Sequence, residues 1–202
     1  IQTRSLVLEG KPFGTSGAYE KLAGTMRFAV DPAEEPNARV TDIGLAPRNA
    51  QGRVEFAADF YLLKPVDPHK GNRRLLVDCV NRGRKVVLGM LNSAPRVPDP
   101  ATEAEFGNGF LMRQGYSVAW VGWQVDVPRR DGLMALDAPR AQGVVGELRC
   151  EMRPNKPVQS LPLADRYHIP NPTVDLNDPK ARLLVRAHAG AEAVEVARDA
   201  WR

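Results

Sequence analysis

The sequence predicts an α/β protein in which a strand-rich first third leads into a parallel strand–helix–strand unit. Two nearly continuous apolar runs, at 74–80 and 116–121, have the composition of strands buried on both faces, as in parallel sheets. A segment with helical spacing, 101–114, separates them, and this order defines a βαβ unit. The last third has six prolines between residues 153 and 180, which predicts a long irregular excursion.

The first 70 residues contain several strand candidates separated by turn-forming residues. Gly24 lies inside the longest candidate and is expected to form a bulge there. The last candidate ends near Pro65, because proline cannot donate to a strand ladder. In chain order the strand candidates are 5–8, 19–30, 39–43 and 54–63, with a loop at 31–37 and a turn at 46–52.

The remaining elements follow from the same patterns. Gly115 is expected to cap the helix at 101–114, although Asn108 and Gly109 weaken that helix. Strands are expected at 143–152 and 181–187, and the segment 194–201 fits either a strand or a helix. The expected organisation has three parts, which are a β-rich extension at 1–70, a βαβ core at 71–150 and a proline-rich insertion with further strands at 151–202.

Length and composition exclude several classes of protein. The 202 residues are 43% apolar and 26% charged, which is typical of a globular chain that buries a sizeable core. The net charge of +4 comes from arginines interleaved with acidic residues, so no nucleic-acid partner is expected. The longest apolar runs are far shorter than the roughly 20 residues of a membrane-spanning helix.

The sequence offers no complete catalytic or metal-binding motif. No serine lies in a Gly-x-Ser-x-Gly elbow after a strand, and Ser117 fails because Gly115 precedes its strand instead of following one. Neither the two cysteines nor the three histidines have metal-ligand spacing, and no glycine-rich phosphate loop is present. We therefore expect no metal and no cofactor, and we assign no catalytic residue. The histidines, all interpreted as surface or turn residues, are His69, His168 and His188.

The most informative feature is the pair of loops that follow the two apolar strands. Ligands of open α/β sheets bind beyond the carboxyl ends of parallel strands, and the loops 81–85 and 122–126 both occupy that position. Gly83 would let backbone N–H groups approach a ligand closely. An ordinary βα turn, with its arginines paired to surface acids, is the alternative interpretation of the first loop.

Several of these segments resemble, in order and spacing, the front half of a group of bacterial α/β-hydrolase domain proteins, which belong to the serine-esterase superfamily. The resemblance extends along essentially the whole chain. The segments that carry it are Phe13–Gly14, Gly17–Glu20, Phe28–Pro32, Ala57–Pro65, Val77–Lys85, Gly107–Tyr116 and Val121–Asp126.

The resemblance implies an α/β-hydrolase-like sheet and a carboxylic-ester hydrolase acting on a small-molecule ester. In that family the serine elbow and the triad acid and histidine lie in the second half, outside these residues. The oxyanion-loop role transfers to Asn81, Arg82 and Gly83, with Trp123 and Gln124 at the pocket mouth. A preference for acidic esters would follow if Arg82 or Arg84 attracts the substrate.

Two alternatives of other classes remain open. A β-rich module could bind carbohydrate or peptide through Trp120, Trp123 or Trp201, of which Trp123 is the one expected to be reachable. A scaffold descended from the hydrolase fold would expose an unpaired sheet edge, and would associate with the remaining half of the fold or with a second copy. A chain that starts at Ile1 fits either a cytoplasmic protein or one secreted after signal removal.

Overall fold

The structure is a computed structural model that describes residues 1–130, 132–164 and 168–201. In this part of the chain the main feature is a sheet of six strands in the order β1-β2-β3-β5-β4, with β6 paired to β3. Its strands are β1 (Thr3–Leu6), β2 (Tyr19–Val30), β3 (Val54–Pro65), β4 (Leu75–Cys79), β5 (Ser117–Val121) and β6 (Leu136–Asp137). The protein therefore has mixed α/β content dominated by strands.

The antiparallel part of the sheet is a long ribbon formed by β2 and β3. Its register runs without interruption from Tyr19 opposite Pro65 to Val30 opposite Val54, so the bulge predicted at Gly24 is wrong. Gly24 is required for a different reason, because a Cβ there would lie 2.9 Å from the backbone nitrogen of Gln2. The amino-terminal residues cross this point of the ribbon too closely for a side chain.

The connection between β2 and β3 differs from its prediction. A short helix, α1 (Glu35–Ala38), starts with Pro36 in its first turn, where the missing N–H costs no hydrogen bond. The strand expected at 39–43 is wrong, because a 3₁₀ turn at Ile43–Leu45 follows a left-handed Asp42.

The predicted βαβ unit is confirmed, since β4 and β5 pair in parallel from Leu75 opposite Ser117 to Cys79 opposite Val121. The single helix expected between them is wrong. The crossover contains α2 (Val87–Leu91), a 3₁₀ turn at 103–106 and α3 (Phe110–Arg113). Gly107 and Gly109 interrupt the helical pattern with φ angles of 58° and 65°. Gly115 ends α3 with a φ of 74°, as expected of a glycine cap.

One face of the sheet carries the core. Trp120, Val118 and Leu63 are almost fully buried there against residues of the crossover, including Phe106 and Met112. The Tyr19 hydroxyl lies 3.0 Å from the carbonyl oxygen of Met112. This hydrogen bond satisfies a polar group in an otherwise apolar cluster.

The opposite face of the parallel pair is open, which corrects the prediction that β4 is buried on both sides. Leu75 and Val77 are 59% and 52% exposed, and Cys79 is exposed as well. β4 forms the edge of the sheet, so its outer backbone groups also lack a neighbouring strand in the described chain.

The last third contains little regular structure. The strand predicted at 143–152 is wrong, and the one at 181–187 is reduced to β7 (Leu184–Val185). β7 pairs with β8 (Val194–Glu195), and a 3₁₀ turn follows at Arg198–Ala200. Contacts divide the chain into two compact units, one of residues 1–144 with 148–170 and one of residues 145–147 with the chain from 171 onward. The three-part division at residues 70 and 150 stays a prediction.

Candidate functional site

The loop after β4 is a tight two-residue turn. The Arg84 N–H donates to the carbonyl oxygen of Asn81 at 3.1 Å, and Arg82 and Gly83 have φ angles of 52° and 76°. Two positive φ angles in succession define the mirror-image turn that glycine and asparagine favour. Arginine at its first position is a strained residue, of the kind that concentrates at functional sites.

The turn is fastened to the loop after β5. The Arg82 N–H donates to Oε1 of Gln124 at 2.7 Å. The indole N–H of Trp123 donates to the carbonyl oxygen of Val80, the residue just before the turn. The structure thus places in one site all five residues selected from the sequence, namely Asn81, Arg82, Gly83, Trp123 and Gln124.

Gly83 is the most constrained position of the turn. A Cβ at residue 83 would lie 2.7 Å from Cγ1 of Val127 and 2.9 Å from the carbonyl oxygen of Met134. The Gly83 carbonyl oxygen accepts the Met134 N–H at 2.9 Å. The Gly83 N–H, in contrast, has no hydrogen-bond partner among the described residues. Gly83 is buried, and its N–H is an unpaired donor in a closely packed backbone.

Asp78 supports this turn from inside the sheet, and the sequence analysis missed its role. Its Oδ2 accepts the Trp120 indole N–H at 2.8 Å and the Val86 and Val87 N–H groups at 3.1 Å each. One carboxylate oxygen therefore ties β4, β5 and the start of α2 together. The only sequence signal was an acidic residue within an apolar strand, which is unusual unless it is hydrogen-bonded.

A second missed feature is a pair formed by Asp126 and His168. Asp126 ends the predicted pocket loop, and its Oδ2 lies 3.0 Å from Nδ1 of His168. The Asp126 carbonyl oxygen also accepts the Ile169 N–H at 2.6 Å. Nε2 of His168 is buried and has no hydrogen-bond partner within the described part of the chain. A carboxylate that binds Nδ1 while Nε2 makes no hydrogen bond is the arrangement that orients an imidazole for proton transfer.

The contact between Asp126 and His168 could not have been predicted from sequence spacing, because the two residues are far apart in the chain. His168 lies in the proline-rich excursion, where a turn residue is the ordinary expectation. The hydrogen bond from Ile169 shows that this excursion returns to the carboxyl end of β5. Its return adds a histidine to a site that was expected to consist of two strand-end loops.

The three tryptophans have different surroundings. Trp120 is buried in the core, whereas Trp123 is 56% exposed. Trp201 belongs to the second unit, where the Arg198 guanidinium lies 4.2 Å from its ring centroid. Trp123 is therefore the exposed aromatic at the site, as expected from the sequence.

The arginines of the turn have further interactions in the structure beyond those given above. An anionic substrate would compete with those interactions for Arg82 or Arg84. Within residues 1–130, 132–164 and 168–201, no group of three or more histidine, cysteine or acidic side chains is arranged to hold a metal ion. The described helices are all too short to cross a bilayer.

Comparison with known proteins identifies no relative. Family models, curated proteins and solved structures were each searched with the chain, and none matches it.

Proposed function

We propose that this chain is part of a carboxylic-ester hydrolase with an α/β-hydrolase-like fold, whose nucleophilic serine and triad lie outside these residues. The observation that carries the proposal is the fastening of the Asn81–Arg84 turn to Gln124 at the carboxyl ends of two parallel strands. Substrate sites of open α/β sheets form at this position.

In this proposal Gly83 supplies the oxyanion donor. The Arg82 N–H is already bound to Gln124 Oε1 at 2.7 Å, so it is not available to a developing alkoxide. The Gly83 N–H has no partner in the described chain, and its backbone is fixed by Val127 and Met134. A donor held in place before the reaction lowers the barrier, because no reorganisation is needed as charge develops.

The reaction proposed is attack of a serine oxygen on the ester carbonyl, with a histidine accepting the serine proton. The carbonyl oxygen becomes the oxyanion that the Gly83 N–H stabilises. Asp126 and His168 add an oriented imidazole beside the same loops, at 3.0 Å between Nδ1 and Oδ2. This pair supports proton-transfer chemistry at this edge of the sheet.

Ester hydrolysis by the protein made from the complete coding region tests the proposal. We expect turnover of short p-nitrophenyl esters, and we expect Gln124→Leu to lower kcat. Loss of the Gln124 acceptor frees the turn and misplaces the Gly83 donor, and loss of one such donor typically costs 10²–10³ in kcat. Gln114→Leu is the matched control, because the Gln114 side chain is exposed and lies outside the site.

Absence of hydrolysis across neutral and acidic esters would contradict the proposal. Equal kcat values for the Gln124 and Gln114 variants would contradict the assignment of the turn as the oxyanion loop.

A second candidate function is that of an association domain, and the open edge of the sheet favours it. Among the described residues no strand pairs with the outer side of β4, and its exposed Leu75 and Val77 are apolar. Parallel strands are normally covered on both faces, and an exposed apolar edge is a template for pairing with another chain. In this alternative the site catalyses no reaction, and the β4 edge binds the remaining half of the fold or a second copy.

Light scattering after size exclusion separates the two functions. An association domain would form a defined complex through β4 and would show no ester hydrolysis in any form of the protein. A monomer at all concentrations would contradict association between copies of this chain.

A further inference from the structure

Lys85 lies directly after the Asn81–Arg84 turn, but its amine points to different surroundings. Its Nζ lies 4.5 Å from the centroid of the Tyr61 ring. Within the described chain no carboxylate oxygen lies within 4.0 Å of this amine. A partly buried ammonium that lacks an ion pair is unusual, because a buried charge is normally paired.

Asp99, a carboxylate that acts electrostatically on Lys85, already has other partners. Asp99 Oδ1 accepts the Tyr61 hydroxyl at 2.8 Å, and Asp99 Oδ2 lies 2.8 Å from Nζ of Lys21. Lys21 Nζ also lies 5.9 Å from the Tyr61 ring centroid, so two ammonium groups flank the same ring. This arrangement gives Asp99 its partners and leaves Lys85 without one.

The Lys85 amine lines a small recess. The recess has a volume of about 10 Å³, which is room for one water-sized group. Its walls are largely apolar, and the charged side chains that share them are Arg96 and Glu105. The apolar walls are Tyr61, Leu88, Pro95, Val97 and Trp120. A recess of this size admits only a very small molecule.

We propose that Lys85 is a carbonyl-reactive amine that forms an imine with short-chain aldehydes in preference to the exposed lysines of the chain. The neutral amine adds to the aldehyde carbon, and the carbinolamine then loses water. One C=N bond replaces the C=O bond, and the carbonyl oxygen leaves as water. This inference does not depend on the ester-hydrolase proposal.

The electrostatics of the recess favour the neutral amine. Burial lowers the pKa of Lys85, and the Lys21 ammonium lowers it further, whereas the Asp99 and Asp59 carboxylates raise it. The face of the Tyr61 ring also favours the charged form. The net direction is a lowered pKa, so a larger fraction of this amine is neutral at neutral pH than of an ordinary lysine.

Reductive methylation with limiting formaldehyde and a mild borane tests the inference on the folded 202-residue chain. The borane delivers hydride to the imine carbon and converts the adduct into a stable methylamine. Peptide mass spectrometry then gives the initial rate at each lysine. Lys70 and Lys156 are exposed internal references. We expect Lys85 to react severalfold faster than both at neutral pH, and no faster than they do above pH 10.5, the ordinary lysine pKa.

Two substitutions make the test specific, because they move the rate in opposite directions. Lys21→Met removes a neighbouring positive charge and should slow the reaction of Lys85 at neutral pH. Asp99→Asn removes a negative charge and should accelerate it. Urea-unfolded chain should show equal rates at all lysines.

A Lys85 rate at or below that of Lys70 and Lys156 at neutral pH would overturn the inference. So would equal Lys85 rates in the wild type and in a folded Lys21→Met variant. If Asp99→Asn does not fold, Lys21→Met alone decides.

Discussion

The antiparallel and parallel ends of one face of the sheet carry different kinds of side chain. At the antiparallel end, Glu20 is held between Arg4 at 2.7 Å and Lys64 at 2.6 Å, and its side chain is only 5% exposed. At the parallel end, Leu75 and Val77 of β4 lie more than half exposed on the same face. Ion-paired side chains therefore lie at the antiparallel end of this face, whereas solvent-exposed apolar side chains lie at the parallel end.

This difference bears on the association function proposed for the β4 edge. Paired charges are compatible with contact to solvent, whereas Leu75 and Val77 are the side chains that would contact a partner in the association function proposed above. The candidate site lies at the carboxyl ends of the strands on this open side.

The covered face of the parallel pair should be critical for stability, and its open face should not. Trp120→Ala removes a fully buried indole and should lower the free energy of unfolding by about 3–5 kcal/mol. Val77→Ala, on the open face of the neighbouring strand, should change it by no more than about 0.5 kcal/mol. Urea denaturation measures both, and similar losses for the two variants would contradict the contrast.

Asp78 should contribute the next largest effect. Asp78→Asn keeps the size of the side chain and one acceptor oxygen but removes the negative charge, so the three hydrogen bonds to Oδ2 become weaker neutral ones. We expect a loss of about 1–3 kcal/mol. Asp67→Asn is the control, because its carboxylate caps an exposed turn through His69. An equal, small loss for both would remove Asp78 from its supporting role.

The charged end of the sheet should give stability that depends on pH. The hydrogen bond from Lys64 is the main cause that lowers the pKa of Glu20 below its ordinary value of 4.5, against an opposing effect of burial. Since the folded pKa is the lower one, this carboxylate stabilises the fold above pH 4.5 and loses that contribution as the pH falls through the folded value.

Thermal unfolding between neutral and acidic pH measures this contribution. Glu20→Gln should flatten the acid limb of the stability curve. Glu55→Gln, at an exposed position of β3, should leave that limb unchanged. If Glu20→Gln leaves the acid limb unchanged, the loss of stability at low pH comes from other carboxylates.

A charge on the open face should have the smallest effect on stability and a larger one on association. Val77→Lys should leave the free energy of unfolding within about 0.5 kcal/mol of wild type. It should abolish any complex formed through the β4 edge, because lysine at an edge strand opposes pairing. Sedimentation velocity measures the complex, and one that survives the substitution would lie on another surface.

The sequence was informative where local pattern and tertiary structure agree. The strand at Tyr19–Val30, the parallel pair and the placement of the two loops followed from apolar runs and their order. A continuous apolar run does not, however, show whether a second layer covers it, and for this reason β4 was misjudged. The helix at 101–114 was misjudged because glycines with positive φ divide it.

The parts of the site that escaped prediction depend on long-range contacts. Asp78 is in an apolar strand, and its role depends on an indole from β5. His168 reaches Asp126 only because the proline-rich excursion folds back to the strand end. Neither contact has a periodicity or spacing that a single sequence displays.

Fluorophosphonate labelling of the protein from the complete coding region tests whether it is a serine hydrolase with its nucleophile outside these residues. The probe forms a covalent adduct with an activated serine, and tryptic mapping locates that serine. We expect one labelled serine outside the 202 residues and no adduct on the 202-residue chain alone. A protein that stays unlabelled in its complete form, or a label on a serine of this chain, would contradict it.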